Sequence, residues 1–278
     1  MDVAEPVVTV FAGIWGAMLG SFLNVCVWRL PRNESVIRPA SHCPGCGKPI
    51  AWYDNVPLVS YLLLRGRCRH CGTRISVQYP LIELAVALVW GGAVVWWGAS
   101  WAAISAALLT TLLLGIALTD ARHYLIPDEF SLGGLGAGLA LSFVPGGISP
   151  LASLAGAAAG FALLWVVKAG GDWALARGWI GGEELQQVLE AGEKPTTLGG
   201  GDLKMMAMVG SFLGWRGVLL TAFLGSLAGV AVFLPLVLVK RKSPIPFGVF
   251  LAVGAVVTLL VGDALIAWYA GMLVGSVP

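Results

Sequence analysis

Charge is what this chain has least of. Asp, Glu, Lys and Arg supply 12% of its 278 residues, against about 25% in an ordinary soluble domain. Hydrophobic residues rise to 58%, and that excess points to lipid. Other absences narrow the class. There is no basic stretch ahead of the first apolar run, which has Asp2 and Glu5 before it and Arg29 after it. A secretory signal peptide has the reverse arrangement, so this run reads as a retained helix. No internal repeat and no low-complexity tract occurs, which weighs against a transporter built from repeated halves. The chain has no His-Glu-x-x-His, no convincing Ser-His-Asp set and no glycine-rich dinucleotide fingerprint, so metalloprotease, serine-hydrolase and Rossmann chemistry lose their usual sequence support.

Runs long enough to cross about 30 Å of hydrocarbon recur from Val7 onward. The pattern predicts an all-α polytopic membrane protein with about eight transmembrane helices, near 7–28, 81–98, 101–119, 130–145, 150–168, 204–213, 217–239 and 246–270. The segment 204–213 is too short to cross alone and 130–145 is marginal, so seven spans is the alternative. With eight spans and the N-terminus outside, every Lys and Arg of the 17 except Arg216 falls on one side. The positive-inside bias makes that side cytoplasmic.

Four of the five cysteines share one polar segment, while Cys26 lies in an apolar run. Cys43-Pro-Gly-Cys46-Gly47 and Cys68-Arg-His-Cys71-Gly72 are two Cys-x-x-Cys-Gly turns with 21 residues between them. Each turn brings two thiolates to one side of a tight loop, and two turns complete a closed tetrahedral site for a structural Zn2+. Binding energy then serves as folding energy for a loop with little core of its own. A redox dithiol is the competing reading, and His42 and His70 are adjacent groups that four thiolates leave unneeded.

Two aspartates stand at the expected membrane boundary. Asp120 ends an apolar helix, ahead of Leu125-Ile126-Pro127-Asp128, and Asp202 follows Gly199, Gly200 and Gly201 before another apolar segment. An ionisable group at such depth is a functional candidate, although an aspartate at a helix end also serves as an N-cap. Asp128 fits that second role, since it opens the next span together with Glu129. Three glycines would let an extended substrate backbone approach closely. Two carboxylates about 3 Å apart cannot both ionise. The charged one can deprotonate a water that attacks a peptide carbonyl, and its protonated partner donates to the oxyanion and then to the leaving amine.

Taken together, these residues resemble the type IV prepilin peptidases, or leader peptidase/N-methyltransferases. The likeness rests on Gly20-Ser21-Phe22-Leu23-Asn24-Val25 with Arg29-Leu30-Pro31, on Ser41-His42-Cys43, Trp52-Tyr53-Asp54-Asn55-Val56-Pro57, Arg65-Gly66-Arg67-Cys68 and Tyr79-Pro80-Leu81-Ile82-Glu83, then on Asp120, Ile126-Pro127-Asp128, Gly-x-Gly-Asp and Ile245-Pro246-Phe247-Gly248. It implies a bacterial inner-membrane enzyme that removes the leader from prepilins or pseudopilins at the cytoplasmic face. It further implies N-methylation of the new N-terminal residue from S-adenosylmethionine. Asp120 and Asp202 match the family's catalytic pair, and Gly199–Gly201 the supporting loop.

The implied organisation is a first transmembrane helix at 1–28, a cytoplasmic four-cysteine zinc-binding domain at 29–80 and a membrane-embedded aspartate peptidase domain at 81–278. Partners are the precursor proteins and the bilayer, with no nucleic acid. A peptidase lacking methylation, or a transporter or scaffold with a zinc docking domain, are the alternatives.

Several residues fall outside these motifs. Glu83 is a weak candidate for the methyl-donor site, with a structural ion pair as the bland alternative. Asp263 reads as a buried hydrogen-bond partner or as a residue on the outer side. The segment from Gly171 to Thr197 is longer than the family leads one to expect, and its Glu183, Glu184, Glu190 and Glu193 could attract a basic leader. Trp90, Trp96, Trp97 and Trp101 form an interfacial belt.

Overall fold

Within hydrocarbon every backbone N–H and C=O needs a partner inside the chain, and the apolar runs meet that need as helices. A computed structural model describes residues 4–179, 196–238 and 246–274. The helices are α1 (Ala4–Arg29), α2 (Val59–Leu63), α3 (Gln78–Trp97), α4 (Trp101–His123), α5 (Asp128–Leu141), α6 (Pro150–Ala176), α7 (Gly200–Leu238) and α8 (Phe247–Val274). Two short 3-10 turns, Leu30–Arg32 and Trp52–Asp54, lie between α1 and α2. No β-strand forms among the described residues. Glu183, Glu184, Glu190 and Glu193, together with Lys194, Lys240, Arg241 and Lys242, lie outside the described residues.

Six helices are long and apolar enough to cross a membrane: α1, α3, α4, α6, α7 and α8. Each of the eight stretches expected as spans falls mostly on helix among the described residues, although the one at 130–145 stops at Leu141, so the difference from eight lies in length and continuity. Helix α5 has 14 residues, about 21 Å of rise, short of the hydrocarbon thickness. The stretches expected at 204–213 and 217–239 both fall within α7, which is interrupted at Gly214. That residue has φ 68° and ψ 179°, a conformation open to glycine and strained for any side chain. Eight membrane segments are recovered only if α5 and the two limbs of α7 are counted separately.

The chain divides into two compact units, Met1–His123 and Tyr124–Pro278. In the first, α3 packs against both α1 and α4. Lipid tails provide no hydrophobic drive between helices, so close packing at small residues has to hold them. Gly16 and Gly20 of α1 serve this purpose. A Cβ on Gly16 would stand 2.7 Å from the Val86 carbonyl oxygen, and one on Gly20 2.8 Å from Glu83 Cα. Val86, Leu109, Leu113 and Ile116 are buried in this unit, and Ala93, Ala103 and Ala107 pack beside Val89, Trp90 and Trp97.

In the second unit α7 is central, packed against α5, α6 and α8. Gly156 and Gly160 of α6 lie directly on the backbone of α7 at Gly210 and Met206, leaving no room for a Cβ. Met205, Met206, Met208, Val209, Val218 and Leu251 are fully buried there. Helix α6 begins with Ser149, whose hydroxyl accepts the Ala152 N–H, followed by Pro150. That is a side-chain cap with proline at the first position, where its missing N–H costs nothing. Outward faces stay apolar, with Phe11, Leu88, Phe161 and Phe223 all exposed, as lipid contact requires.

Candidate functional site

The two Cys-x-x-Cys turns fold alike. In the first, the Cys43 N–H donates to Lys48 O at 2.9 Å and the Gly47 N–H to Cys43 O at 2.8 Å. In the second, the Cys68 N–H donates to Thr73 O at 2.9 Å and the Gly72 N–H to Cys68 O at 3.0 Å. Gly47 and Gly72 both take left-handed φ, 69° and 71°, which explains why glycine follows each cysteine pair.

The ligand atoms of Cys43, Cys46, Cys68 and Cys71 lie within 4.8 Å of one another, and Cys43 Sγ is 3.7 Å from Cys71 Sγ. A tetrahedral four-sulfur site with metal–sulfur bonds of about 2.3 Å separates its sulfurs by about 3.8 Å. The cluster is therefore dimensioned to hold a metal ion. The Thr73 hydroxyl, 3.2 Å from Cys71 Sγ, and the Thr73 amide lower the Cys71 pKa to about 6. Amides of Cys71 and His70 also lower that of Cys68. Both effects favour thiolate, the form that binds metal, whereas Cys46, despite the Lys48 amide beside it, is pushed up to about 11 by desolvation and by the neighbouring Cys71 and Cys43 sulfurs. His42 and His70 are exposed and lie outside the cluster, and Cys26 is buried in α1.

The surrounding motifs bind this loop to itself and to the helices. Arg69 donates from Nε to Asp54 Oδ2 at 2.7 Å and through a second nitrogen to Oδ1 at 2.6 Å. This fork ties the turn Trp52–Asp54 to the second cysteine pair, and Arg69 holds the Asp54 carboxyl below its usual range. Buried Glu83, in the second turn of α3, accepts the Leu58 N–H on Oε2 at 2.8 Å. Asn24 donates to Gly20 O at 3.2 Å and Tyr79 O at 3.1 Å. Ser21, Asn24 and Glu83 thus form a polar seam joining α1, α3 and the loop. Leu58, with φ 62°, went unnoticed in the sequence, because nothing about leucine signals a left-handed backbone.

Asp120 occupies the last turn of α4 and is 6% exposed. Thr119 beside it is fully buried and donates back to Gly115 O at 3.1 Å and Ile116 O at 3.0 Å. In the second unit, Asp202 stands in the first turn of α7 and is 9% exposed. The glycines ahead of it are not equivalent. A Cβ on Gly201 would lie 2.9 Å from Ile126 Cβ, one on Gly199 would lie 3.3 Å from Asp202 Oδ2, and one on Gly200 would meet nothing within 4 Å. Packing requires Gly201, whereas Gly200 leaves a face open.

The run is anchored on both sides. Before it, Lys168 donates to Leu198 O at 3.0 Å and the Thr197 N–H to Asp172 Oδ1 at 2.8 Å. After it, Lys204 pairs with Asp128 at 2.6 Å. Asp128 does stand in the first turn of α5, as expected, but its carboxylate goes to Lys204 and forms no side-chain cap. Lys168 and Lys204 belong to no motif and register in the sequence only as positive charges, yet their contacts brace the Gly199–Asp202 run. Asp263, expected either as a buried partner or as a residue on the outer side, is exposed on α8, which removes the first of these.

Two family models match the chain: Bacterial Peptidase A24 N-terminal domain over residues 14–97 and Type IV leader peptidase family over residues 107–234. Among relatives, a Pseudomonas aeruginosa protein is 36% identical over 91% of this chain and 90% of its own length, and one from Aeromonas hydrophila is 33% identical over 92% and 91%. The chain belongs to the type IV leader peptidase family. A Myxococcus xanthus member of it is 36% identical over 86% of this chain and 66% of its own length. All three relatives carry the name prepilin leader peptidase/N-methyltransferase. The cysteine cluster and Glu83 fall in the stretch that matches the family's N-terminal domain, and Asp120 and Asp202 both fall in the leader peptidase stretch. No solved structure matches the chain.

Proposed function

We propose that this protein is a membrane-embedded aspartate endopeptidase that removes the leader peptide from prepilins or pseudopilins and N-methylates the residue so exposed. The observation that carries this reading is the burial of Asp120 and Asp202 at the ends of membrane-crossing helices, within the leader peptidase match. A soluble protein would spend such carboxylates on solvated helix ends, whereas burial keeps them from water and raises the energetic stake of each charge.

In the proposed mechanism one of the pair is ionised and the other holds a proton. The ionised aspartate takes a proton from water as the oxygen attacks the scissile carbonyl. Its protonated partner donates to the developing oxyanion, and collapse of the intermediate returns a proton to the departing amine. Gly200, open on its outer side, admits the extended substrate backbone. S-adenosylmethionine is the second substrate and supplies the methyl group. Cys43, Cys46, Cys68 and Cys71 would hold Zn2+ through four thiolates, which would leave the metal the part of stabilising the loop.

Counted over eight membrane segments, with α5 and the two limbs of α7 each crossing, the distribution of Lys and Arg supports an orientation with the cysteine domain and both aspartates toward the cytoplasm, and the prepilin substrate of the named relatives supports the bacterial inner membrane. The decisive test incubates purified protein with a prepilin and isotopically labelled S-adenosylmethionine, followed by mass spectrometry of the product. Cleavage with label on the new N-terminus is expected. Cleavage without label would reduce the reading to a peptidase alone, and an intact precursor would overturn it.

A further inference from the structure

The Trp52–Pro57 motif and the short helix α2 play no part in metal binding or in the proposed chemistry, yet they carry three of the four most exposed large apolar side chains of the cysteine domain, Ile37 being the fourth. Trp52 is 82% exposed, Leu62 74% and Leu63 77%, with Tyr53 and Val59 also exposed. These residues belong to one element. The Ser60 hydroxyl of α2 donates to Tyr53 O at 2.9 Å and accepts the Val56 N–H at 3.0 Å, fastening α2 to the Trp52–Asp54 turn.

The height of this element follows from Glu83. Its carboxylate accepts the Leu58 amide, immediately before α2, and Glu83 lies five residues into the membrane-crossing helix Gln78–Trp97. At 1.5 Å per residue that is about 8 Å from the helix start, less the lean of the side chain toward the N-terminus. Interfacial helices bury their apolar side about 5–10 Å into the headgroup and acyl boundary. Charge agrees with this position. Arg65, Arg67 and Arg74 are exposed on the chain that follows α2, and Asp54, the acidic residue of the Trp52–Asp54 turn, is already neutralised by Arg69.

We propose that Trp52, Leu62 and Leu63 form a membrane-interface anchor, seated at the boundary between the headgroups and the acyl chains of anionic phospholipids whose phosphates the neighbouring arginines bind. Leucine side chains enter the acyl boundary, the indole takes the interfacial level that tryptophan favours, and the guanidinium groups meet phosphate. The anchor holds the cysteine domain against the membrane surface. It stands independently of the proposed peptidase activity.

The test places a benzophenone amino acid at position 62 or 63 of the full-length chain. The protein is reconstituted in phosphatidylcholine bilayers with and without phosphatidylglycerol, irradiated, and its adducts identified by mass spectrometry, with metal content as the check on folding. Lipid adducts should predominate at both positions and increase with phosphatidylglycerol. In parallel, hydrogen exchange of residues 56–66 should be slow in bilayers and lose its protection in the Leu62→Gln/Leu63→Gln variant. Predominant adducts to another part of this chain, to a second copy or to an added prepilin would overturn the proposal, as would exchange protection unaffected by the double substitution.

Discussion

Lys204 donates to both carboxylate oxygens of Asp128, at 2.6 and 2.8 Å, and so joins the second turn of α7 to the first turn of α5. Asp202 stands two residues before that lysine, so the pair steadies the helix end that carries it. Both side chains are partly exposed, and such a pair contributes at most about 1 kcal/mol to stability. Asp128→Asn should therefore barely change the melting temperature. Its effect on cleavage should be larger, a fall in kcat of up to about 100-fold, the order expected when a reacting group is displaced by about 1 Å. Lys204→Arg should retain most activity. Equal losses of stability and rate in Asp128→Asn would deny it a positioning role.

Asp120→Asn and Asp202→Asn should each lower cleavage by at least about 10²–10⁴-fold, the usual contribution of a positioned acid or base. Metal content and helical circular dichroism should not change. A single variant that cleaves at the wild-type rate would rule out the two-carboxylate mechanism.

The glycines before Asp202 should separate by function. Gly201→Ala forces a Cβ against Ile126 and should destabilise by about 1–3 kcal/mol through overpacking. Gly200→Ala meets open space and, at the start of a helix, should be neutral or slightly stabilising. If substrate passes over that face, its KM should nevertheless rise. Thermal denaturation beside steady-state kinetics distinguishes the two variants.

Metal analysis should return about one zinc per chain, and chelation should unfold residues 41–75 while the long helices persist. Limited proteolysis within that segment reads the change directly.

Asp54 is held below its ordinary pKa by Arg69, so its contribution is present above the unfolded carboxylate value and is lost as pH falls through the folded one. Between pH 7 and 5 the stability difference between wild type and Asp54→Asn should thus stay constant, because the carboxylate is ionised in both states. Narrowing of that difference in this range, followed by hydrogen exchange of the Trp52–Asp54 turn, would show that another group governs the turn.

Short-range features were legible in the sequence because they need no distant partner. Apolar runs imply helices wherever lipid is the solvent, and each expected stretch falls mostly on helix among the described residues. Cys43, Cys46, Cys68 and Cys71 converge because each pair is three residues apart and a glycine follows to take the left-handed turn. Asp120 and Asp202 are at helix ends because apolar sequence stops or starts beside them.

Tertiary structure decided the features that couple distant positions. Lys204 meets Asp128 across 76 residues, and Glu83 meets the Leu58 amide across 25. Neither partner is marked in the local pattern, since a lysine or glutamate at a helix end has several oxygens or amides it could reach. The interruption at Gly214 and the collision-free approach of Gly156 to Gly210 likewise depend on what packs alongside. Composition and spacing determine which segments enter the membrane and which thiols can meet. Close packing between helices, where the removal of a single Cβ sets the separation, determines how closely α6 meets α7 and how the Gly201 turn before Asp202 lies on Ile126.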